Sequence, residues 1–337
     1  MIHARSFRRA LLAWYRTHAR DLPWRRERDP YAVWVSEVML QQTRVAAVIP
    51  YYERFLDRFA NLRILAGAQE SEVLRAWSGL GYYSRARQVR KAALEILASG
   101  GEFPRSYDAI RSLPGVGDYT AAAIGSIAFG LPHAAVDGNV LRVMSRLFAE
   151  RGDIRSAAVR SRLSREAQAL LSRRVPGDFN QALMELGATL CLPRNPHCAD
   201  CPVRGHCAAR QIGIERELPL KLSAERTQFE DRTLLIVRRG GKLLMWRRDS
   251  ASRRMAGFWE LPEVRDLEGV RVQRILGRFR HTITRHRYDC RVAAARISRA
   301  PAGFSWVKVV DNIPLSTTTV KALRILEKPD VKSRRDL

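Results

Sequence analysis

The stretch LPGVGDYTAAAIGSIAFG, residues 113–130, contains a proline–glycine turn followed by an alanine-rich segment of helical character. Gly115 and Gly117 flank a valine in this turn and let a ligand approach the backbone closely. The helix that follows would present free N–H groups at its N-terminus, an arrangement that can bind phosphate. An ordinary turn between two helices is the alternative interpretation of the same residues.

The composition favours the phosphate interpretation. The 337-residue chain carries 59 Lys+Arg against 34 Asp+Glu, and this net charge of +25 indicates a polyanionic partner, either nucleic acid or an anionic membrane surface. With 46% apolar residues the chain can bury a core, which excludes a disordered polycation. No apolar run is long enough for a membrane-spanning helix and no secretory signal is recognisable, so a soluble, cytoplasmic protein is expected.

The pattern of elements predicts a multidomain chain. Residues 1–212 read as one helix after another, without strand-like alternation. Residues 213–228 are polar and irregular and are predicted to be a linker. Residues 229–330 are predicted to form a smaller α/β domain, and residues 331–337 a tail.

Local signals place several elements within these domains. Asp29 and Pro30 predict a helix start, and the helical pattern VWVSEVMLQQTRVAAVI follows. Pro50 is predicted to open the next helix. Gly240-Gly241 predicts the turn of a β-hairpin, and VKALRILEK predicts a short closing helix.

Four of the five cysteines lie within 17 residues, with the spacing C-x6-C-x2-C-x5-C: Cys191, Cys198, Cys201 and Cys207. Four thiolates this close can hold one tetrahedral zinc ion or a [4Fe–4S] cluster, and the spacing alone does not choose between them. Four buried thiols without a metal are the alternative. The remaining cysteine, Cys290, is predicted to be a small core residue.

Two carboxylates have unlike surroundings. Glu37 has Val33, Trp34 and Leu40 as helical neighbours, and an acid among apolar groups has a raised pKa and can donate a proton near neutrality. Asp137 precedes a glycine at a predicted helix start. Glycosidic bond cleavage needs such a pair, one acid and one anion facing an oxocarbenium-like transition state. A solvated helix charge for Glu37 and a simple N-cap for Asp137 are the alternatives.

Further motifs are LPWR (22–25), SEVMLQQTRV (36–45), GLGYYSRAR (79–87), VDGNV (136–140) and FNQALMELGA (179–188). Together with the turn at 113–130 and the four-cysteine loop, they resemble the helix-hairpin-helix DNA glycosylases of the endonuclease III superfamily, in the adenine DNA glycosylase (MutY) branch. The resemblance implies an all-α helix-hairpin-helix glycosylase core with an iron–sulfur cluster loop, followed by a Nudix-like domain. In this superfamily the cysteine loop holds [4Fe–4S], so that cluster is the expected cofactor.

The resemblance also implies the roles of the catalytic residues. Glu37 would protonate adenine at N7 and later handle the water, Asp137 would stabilise the oxocarbenium character of the sugar, and Asn139 would help to hold this site. Tyr119 stands where bifunctional relatives carry a catalytic lysine, and its hydroxyl could bond to the carboxylates. Since Lys91 is the only lysine before Lys221, base removal without efficient lyase action is expected.

Further positions match residues that contact DNA in this family. The pocket for the flipped adenine is implied at Trp24, Arg25, Leu40 and Gln181. Side chains wedged into the duplex beside 8-oxoguanine are implied at Gln42 and Tyr82. Each has an alternative: aromatic residues at helical spacing often belong to a core, and a helical glutamine is often solvated.

The C-terminal domain resembles the Nudix-like domain of this family around GFWELPEV (257–264), but the glutamate-rich signature of Nudix hydrolases is missing, so a binding role is expected. In the family a Phe-Ser-His stretch after FRHT reads 8-oxoguanine. Here FRHT (279–282) is followed by a changed stretch in which Thr284 keeps the hydroxyl. Whether Arg285 or His286 replaces the family's histidine stays open.

The resemblance therefore implies a monofunctional adenine DNA glycosylase of base excision repair. Its expected partner is double-stranded DNA with adenine opposite 8-oxoguanine or guanine, and a monomer in the bacterial cytoplasm, associated with the nucleoid, is expected. Two other functions are open. One is an endonuclease III-like glycosylase/lyase acting on oxidised pyrimidines. The other is a non-catalytic protein that binds DNA structures.

Overall fold

A computed structural model describes residues 2–222, 228–249, 257–283, 286–308 and 313–327. The chain forms two compact units: a helical unit of residues 1–67 and 88–224, and a sheet unit of residues 68–87 and 225–337. Residues 68–87 thus group with the C-terminal part of the chain, so the units are not consecutive segments. Across the described residues, none of the helices has the length and apolar character needed to cross a membrane.

Helices account for most of the first 212 residues. The helices are α1 (Ala4–His18), α2 (Pro30–Leu40), α3 (Val45–Arg58), α4 (Leu62–Gly67), α5 (Glu70–Ala76), α6 (Ser84–Ala98), α7 (Tyr107–Arg111), α8 (Asp118–Phe129), α9 (Gly138–Leu147), α10 (Ala157–Leu170), α11 (Pro176–Thr189), α12 (Ala208–Gln211) and α13 (Thr317–Glu327). Short 3-10 helices span Pro23–Arg25, Arg204–His206 and Val264–Asp266. The expectation of an all-α N-terminal region is confirmed.

The start of α2 was predicted correctly, and its end was not. The Asp29 side chain accepts a hydrogen bond from Ala32 N at 2.9 Å, and Pro30 is the first helical residue. The expected continuous helix is interrupted after Leu40, because Gln42 has a φ of +56°. The prediction that Pro50 opens the next helix is wrong, because α3 begins at Val45. The helix tolerates Pro50 in its interior, although proline removes one i to i−4 hydrogen bond.

Helix α11 packs unusually close to its neighbours, and two glycines make this possible. A Cβ on Gly177 would lie 2.6 Å from the carbonyl oxygen of Ser126 on α8. A Cβ on Gly187 would lie 2.7 Å from Cβ of Asn139 on α9. A Cβ does not approach a non-bonded heavy atom this closely, so both positions require glycine. The close approach brings α8, α9 and α11 together around the cavity described below.

Helices α7 and α8 form the two arms of a helix-hairpin-helix element. Gly115 in the hairpin has a φ of +77°, and a Cβ there would lie 2.6 Å from Cβ of Gln88. Gly117 is the N-cap of α8, has extended backbone and would meet no atom within 4 Å if it carried a Cβ. The protein's own packing therefore demands glycine at position 115 and leaves the space at position 117 open.

The sheet unit contains a six-stranded sheet with the order β3-β2-β1-β5-β4 and β6 paired to β2. The strands are β1 (Gln228–Arg239), β2 (Lys242–Arg247), β3 (Trp259–Glu260), β4 (Arg271–Ile283), β5 (His286–Arg296) and β6 (Phe304–Val307). Strands β1 and β5 run parallel, and the other pairs are antiparallel. Helix α13 packs against one face of this sheet through Ala322 and Leu323.

The predicted hairpin is present, because Gly240 and Gly241 both have positive φ and join β1 to β2 with Arg239 opposite Lys242. Cys290 is fully buried on β5, as expected of a core residue. Strand β4 was not predicted. It forms one edge of the sheet, and its exposed, arginine-rich sequence lacks the regular apolar alternation that marks a half-buried strand.

Candidate active site

A cavity of about 820 Å³ opens in the helical unit among α2, α8, α9 and α11. Nine of the residues singled out from the sequence line it: Trp24, Arg25, Glu37, Leu40, Gln42, Tyr119, Asp137, Asn139 and Gln181. They come from five separate segments of the chain. The fold therefore brings together the residues predicted to act on the sugar and those predicted to surround the base.

Glu37 lies near the C-terminal end of α2, a helix that is buried on nearly all sides, and only 5% of the residue is exposed. Burial disfavours the charged carboxylate and raises the pKa of Glu37 to about 7. A hydrogen bond from Tyr119 opposes this rise, and the nearby charge of Asp137 adds to it. Glu37 can therefore hold a proton near neutrality and release it to a bound group.

Tyr119 is the second residue of α8 and connects that helix to α2. Its hydroxyl donates to Oε2 of Glu37 at 2.7 Å and lies 3.8 Å from Sδ of Met184 on α11. Burial, followed by the negative charges of Glu37 and Asp137, raises the pKa of Tyr119 well above its usual value. The side chain thus stays protonated and acts as a hydrogen-bond donor to the carboxylate.

Asp137 is the N-cap of α9, as the simpler interpretation of the sequence held, and it also lines the cavity. Its Oδ1 accepts from Val140 N at 2.7 Å, and its Oδ2 accepts from Nδ2 of Asn139 at 2.9 Å. Burial raises the pKa of Asp137, while these hydrogen bonds favour the anion. The carboxylate is thereby fixed in position with one side facing the cavity.

Asn139 is itself held by Arg142, a residue that the sequence patterns did not single out. Nη2 of Arg142 donates to Oδ1 of Asn139 at 2.9 Å and to the carbonyl oxygen of Gly187 at 2.7 Å. Nε of Arg142 donates to the carbonyl oxygen of Cys191 at 2.8 Å. A chain of hydrogen bonds therefore runs from the Asp137 carboxylate to the first residue of the cysteine loop.

Arg25 is oriented by Glu185, another residue that the patterns did not identify. Glu185 is fully buried on α11 and accepts from Nη2 of Arg25 at 2.8 Å and from Nε of Arg20 at 2.7 Å. Although burial favours the neutral acid, the hydrogen bonds from Arg20 and Arg25 hold the pKa of Glu185 below its usual value. The ion pairs leave Arg25 at the cavity wall in a fixed orientation. The sequence signal that could have identified Glu185 is its position as a lone acid within the apolar stretch ALMELGA.

Lys221 also lines the cavity. The scarcity of lysine before this position had suggested that an amine was missing from the site. The chain is still part of the helical unit at this point, where Leu220 O accepts from Ile154 N at 3.1 Å. An amine is therefore present at the cavity wall, although it comes from a different part of the chain than Tyr119.

The two predicted wedge residues share an unusual backbone conformation. Gln42 has a φ of +56° and Tyr82 a φ of +49°, in the left-handed region that non-glycine residues rarely adopt. Gln42 lines the cavity in the helical unit, whereas Tyr82 belongs to the sheet unit and is 37% exposed. Both side chains are thus presented by strained turns between helices.

The predicted lesion-reading residue Thr284, together with Arg285, lies outside the described residues. The neighbouring His286 is at the start of β5, and its Nδ1 lies 2.7 Å from Oε1 of Glu230. His286 is therefore engaged with a carboxylate on the adjacent strand β1.

The four clustered cysteines line one small cavity together with Arg146, whose Nη1 lies 3.2 Å from Sγ of Cys191. Burial raises the pKa of the Cys201 thiol to about 12 and that of Cys207 above its usual value. Within the described residues, no three His, Cys, Asp or Glu side chains stand close enough as they are to hold a single metal ion. The donor set itself, four thiols beside a buried guanidinium, fits a metal group held by four thiolates.

The hydrogen bond between Tyr119 and Glu37 gives a testable prediction. Because this bond stabilises the carboxylate, Tyr119→Phe should raise the pKa of Glu37 further above neutrality. The measurement is a pH titration of the Glu37 carboxyl carbon by NMR. Tyr31→Phe, which removes a hydroxyl bonded to Phe59 O, is the control and should leave the pKa of Glu37 in place. A lower or unchanged pKa in Tyr119→Phe would contradict the assigned role of the bond.

Comparison with known proteins places this site in a family. Residues 35–168 match the HhH-GPD superfamily of base excision DNA repair proteins. The chain is 50% identical over 222 residues to the adenine DNA glycosylase of Homo sapiens, covering 63% of this chain and 40% of that protein. It is 35% identical over 299 residues to the adenine DNA glycosylase of Arabidopsis thaliana, covering 77% and 47%. The chain thus spans less than half the length of these two relatives.

Two solved structures are also similar to this chain. A thermostable thymine-DNA glycosylase is 32% identical, with a TM-score of 0.57, and the match covers 62% of this chain and 97% of that one. An endonuclease III from a non-covalent DNA complex is 22% identical, with a TM-score of 0.53 over 64% of this chain and 99% of that one, which shows a common fold. The chain belongs to the HhH-GPD superfamily of base excision DNA repair proteins, in the branch of the adenine DNA glycosylases.

Proposed function

We propose that this protein is a DNA glycosylase that removes adenine paired with 8-oxoguanine or guanine. The observation that carries the proposal is the pairing of two carboxyl groups in one cavity. Glu37 is buried with a pKa of about 7, and Asp137 is held by hydrogen bonds that favour its anion. One proton donor and one anion are what the cleavage of a glycosidic bond requires.

The proposed reaction uses the two groups in sequence. Glu37 gives its proton to N7 of adenine, and the C1′–N9 bond breaks with its electron pair going to the base. The sugar then carries oxocarbenium character, and the Asp137 carboxylate stabilises this positive charge. A water molecule adds to C1′ and returns a proton to Glu37, which leaves an abasic site and free adenine.

The remaining cavity residues support a pocket for a flipped base. Adenine must leave the duplex stack before Glu37 can reach it. Trp24 packs edge-on against Tyr52 with ring centroids 5.4 Å apart, and Arg25 is fixed by Glu185. These rigid side chains provide an apolar wall and hydrogen-bond donors for a base. Gln42 would fill part of the space that the base vacates.

The hairpin and the charge support binding to the duplex. We assign Gly115 and Gly117 to a phosphate of the backbone, because position 117 is open and precedes the N-terminus of α8. The net charge of +25 supplies non-specific affinity for DNA. We further assign the Nudix-like sheet unit to reading 8-oxoguanine, with Thr284 as the group that contacts the lesion.

We also propose a [4Fe–4S] cluster as the cofactor. The cysteines Cys191, Cys198, Cys201 and Cys207 would hold it, and when bound it would order the surrounding loop. Arg146 supports this assignment, since the residue is 1% exposed and its guanidinium lies beside Sγ of Cys191, where it would offset the negative charge of thiolate ligands. Through Arg142, the same loop is connected to the residues that hold Asp137.

The decisive experiment for the proposed function compares Glu37→Gln with wild type in single-turnover base release from an adenine:8-oxoguanine duplex. Removal of the titrating proton should lower the rate at least about 10²-fold while binding is retained. In wild type the rate should be level below pH about 7 and fall as pH rises above it, because the protonated acid is lost. Glu95→Gln, an exposed acid on α6, is the control. A Glu37→Gln rate within tenfold of wild type would contradict the assignment of Glu37 as the proton donor.

Lys221 favours one second candidate, a glycosylase/lyase in which an amine attacks the sugar. Borohydride trapping during base release separates the two functions. The leading proposal predicts intact strands and no stable protein–DNA adduct. A trapped adduct that disappears in Lys221→Met and persists in the control Lys91→Met would establish the lyase instead.

The cofactor proposal predicts about four irons per chain and a brown protein. Cys198→Ser should lose iron and bind DNA more weakly, whereas Cys290→Ala should keep its iron, because that cysteine is buried in the core of the sheet unit and is not one of the four clustered cysteines. Iron analysis and DNA titration of anaerobically purified protein are the measurements. Stoichiometric zinc without iron would contradict the proposal.

A further inference from the structure

The turn that carries Tyr82 has positive φ at three of four consecutive positions. Gly79, Gly81 and Tyr82 have φ values of +98°, +79° and +49°. Glycine adopts this conformation freely, but a tyrosine does not, and a strained residue persists only where its surroundings hold it. The structure shows what holds this one, and the residue responsible is Arg85.

Arg85 lies in the first turn of α6 and folds back over the strained segment. Its Nη2 donates to the carbonyl oxygen of Gly81 at 3.1 Å, and its Nε approaches the carbonyl oxygen of Tyr82 at 3.4 Å. Its guanidinium carbon is 5.3 Å from the centroid of the Tyr82 ring and 5.5 Å from that of Trp77. The planar guanidinium of Arg85 therefore contacts the carbonyl oxygens of Gly81 and Tyr82 as well as the Tyr82 ring.

The residues around this turn are held by further hydrogen bonds and ring contacts. Trp77 is fully buried and donates from Nε1 to the same carbonyl oxygen of Gly81 at 3.2 Å. The Tyr83 hydroxyl accepts from Gly79 N at 3.1 Å, and the Tyr83 ring packs on Phe258 with centroids 4.0 Å apart. Tyr82 is the exposed ring in this arrangement, with 37% of the residue open to solvent.

Burial of a guanidinium needs a reason. Only 7% of Arg85 is exposed, and burial lowers its pKa to about 10, which leaves it charged at neutral pH. A charged group this deeply placed is costly unless its contacts compensate. Here it stacks on two aromatic rings and bonds two carbonyl oxygens of the turn.

We propose that Arg85 is a positioning residue that fixes the Tyr82 ring in the orientation in which it enters the duplex beside the mispair. This inference rests on the proposed function, in which Tyr82 is a wedge. A ring that is already ordered before binding loses little freedom when it stacks on a base, so the affinity for the mispair depends on Arg85 through Tyr82. Lysine cannot replace arginine, because an ammonium group has no planar fork.

The test is a double-mutant cycle on affinity for an adenine:8-oxoguanine duplex. Arg85→Met and Tyr82→Ala should each weaken binding about tenfold, as expected for the loss of one ordered base stack, and the double variant should be no weaker than Tyr82→Ala alone. Arg85→Lys keeps the charge but lacks the planar fork, so it should resemble Arg85→Met, while Arg85→Met avoids leaving a buried charge without its contacts. Arg87→Met removes a charge two residues away and should stay within about twofold.

Equal losses from Arg85→Met in the wild-type and Tyr82→Ala backgrounds would overturn the inference, as would full binding by Arg85→Lys. If wild type does not prefer the mispair over a matched duplex, the proposed function fails. A second measurement then still tests whether Arg85 positions the turn. Hydrogen exchange of the amides of residues 79–83 should be faster in Arg85→Lys than in wild type at equal thermal stability. Unchanged exchange there would overturn the positioning role independently of any activity.

Discussion

The carboxylate of Asp137 is the point on which the geometry of the site depends. It closes the first turn of α9 and at the same time receives the Asn139 amide, which Arg142 holds in turn. Arg142 also binds the carbonyl oxygens of Gly187 and Cys191. The start of one helix, the end of another and the cysteine loop therefore share a single chain of hydrogen bonds, and Asp137 cannot shift without disturbing all three.

Burial raises the pKa of both carboxyl groups, but the hydrogen-bond donors around them differ. Glu37 owes its raised pKa first to burial within an apolar helix and has one hydroxyl donor, Tyr119, which opposes the rise. Asp137 receives a backbone N–H and an amide that favour its anion. Two identical functional groups thus differ in how many hydrogen-bond donors favour their anions, which suits the proposed division into proton donation by Glu37 and charge stabilisation by Asp137.

Local signals predicted local structure well. The cap at Asp29, the turn at Gly240-Gly241 and the apolar neighbours of Glu37 depend on residues a few positions apart, and the structure contains all three. The partners of Arg142 and Glu185 could not be predicted in this way. Their hydrogen bonds join residues up to 165 positions apart, and only the packing of α11 against α9 and against the segment that follows α1 brings them together. The resemblance to a family supplied the cavity residues, including Tyr119 and Asn139, which bond the two carboxylates. It did not supply Arg142 and Glu185, which hold Asn139 and Arg25.

After Leu40 the helical pattern of the sequence continues, but the helix itself ends. The apolar periodicity continues into α3, yet the backbone turns at Gln42 with a positive φ. Among the described residues, the non-glycine positions with positive φ are Gln42, Tyr82, Ala149 and Asn195. Breaking a continuous helix and straining a glutamine both lower stability, so the surrounding fold must compensate. Instead of continuing the helix, the turn places Gln42 at the wall of the cavity, where the proposed insertion beside a flipped base would need it.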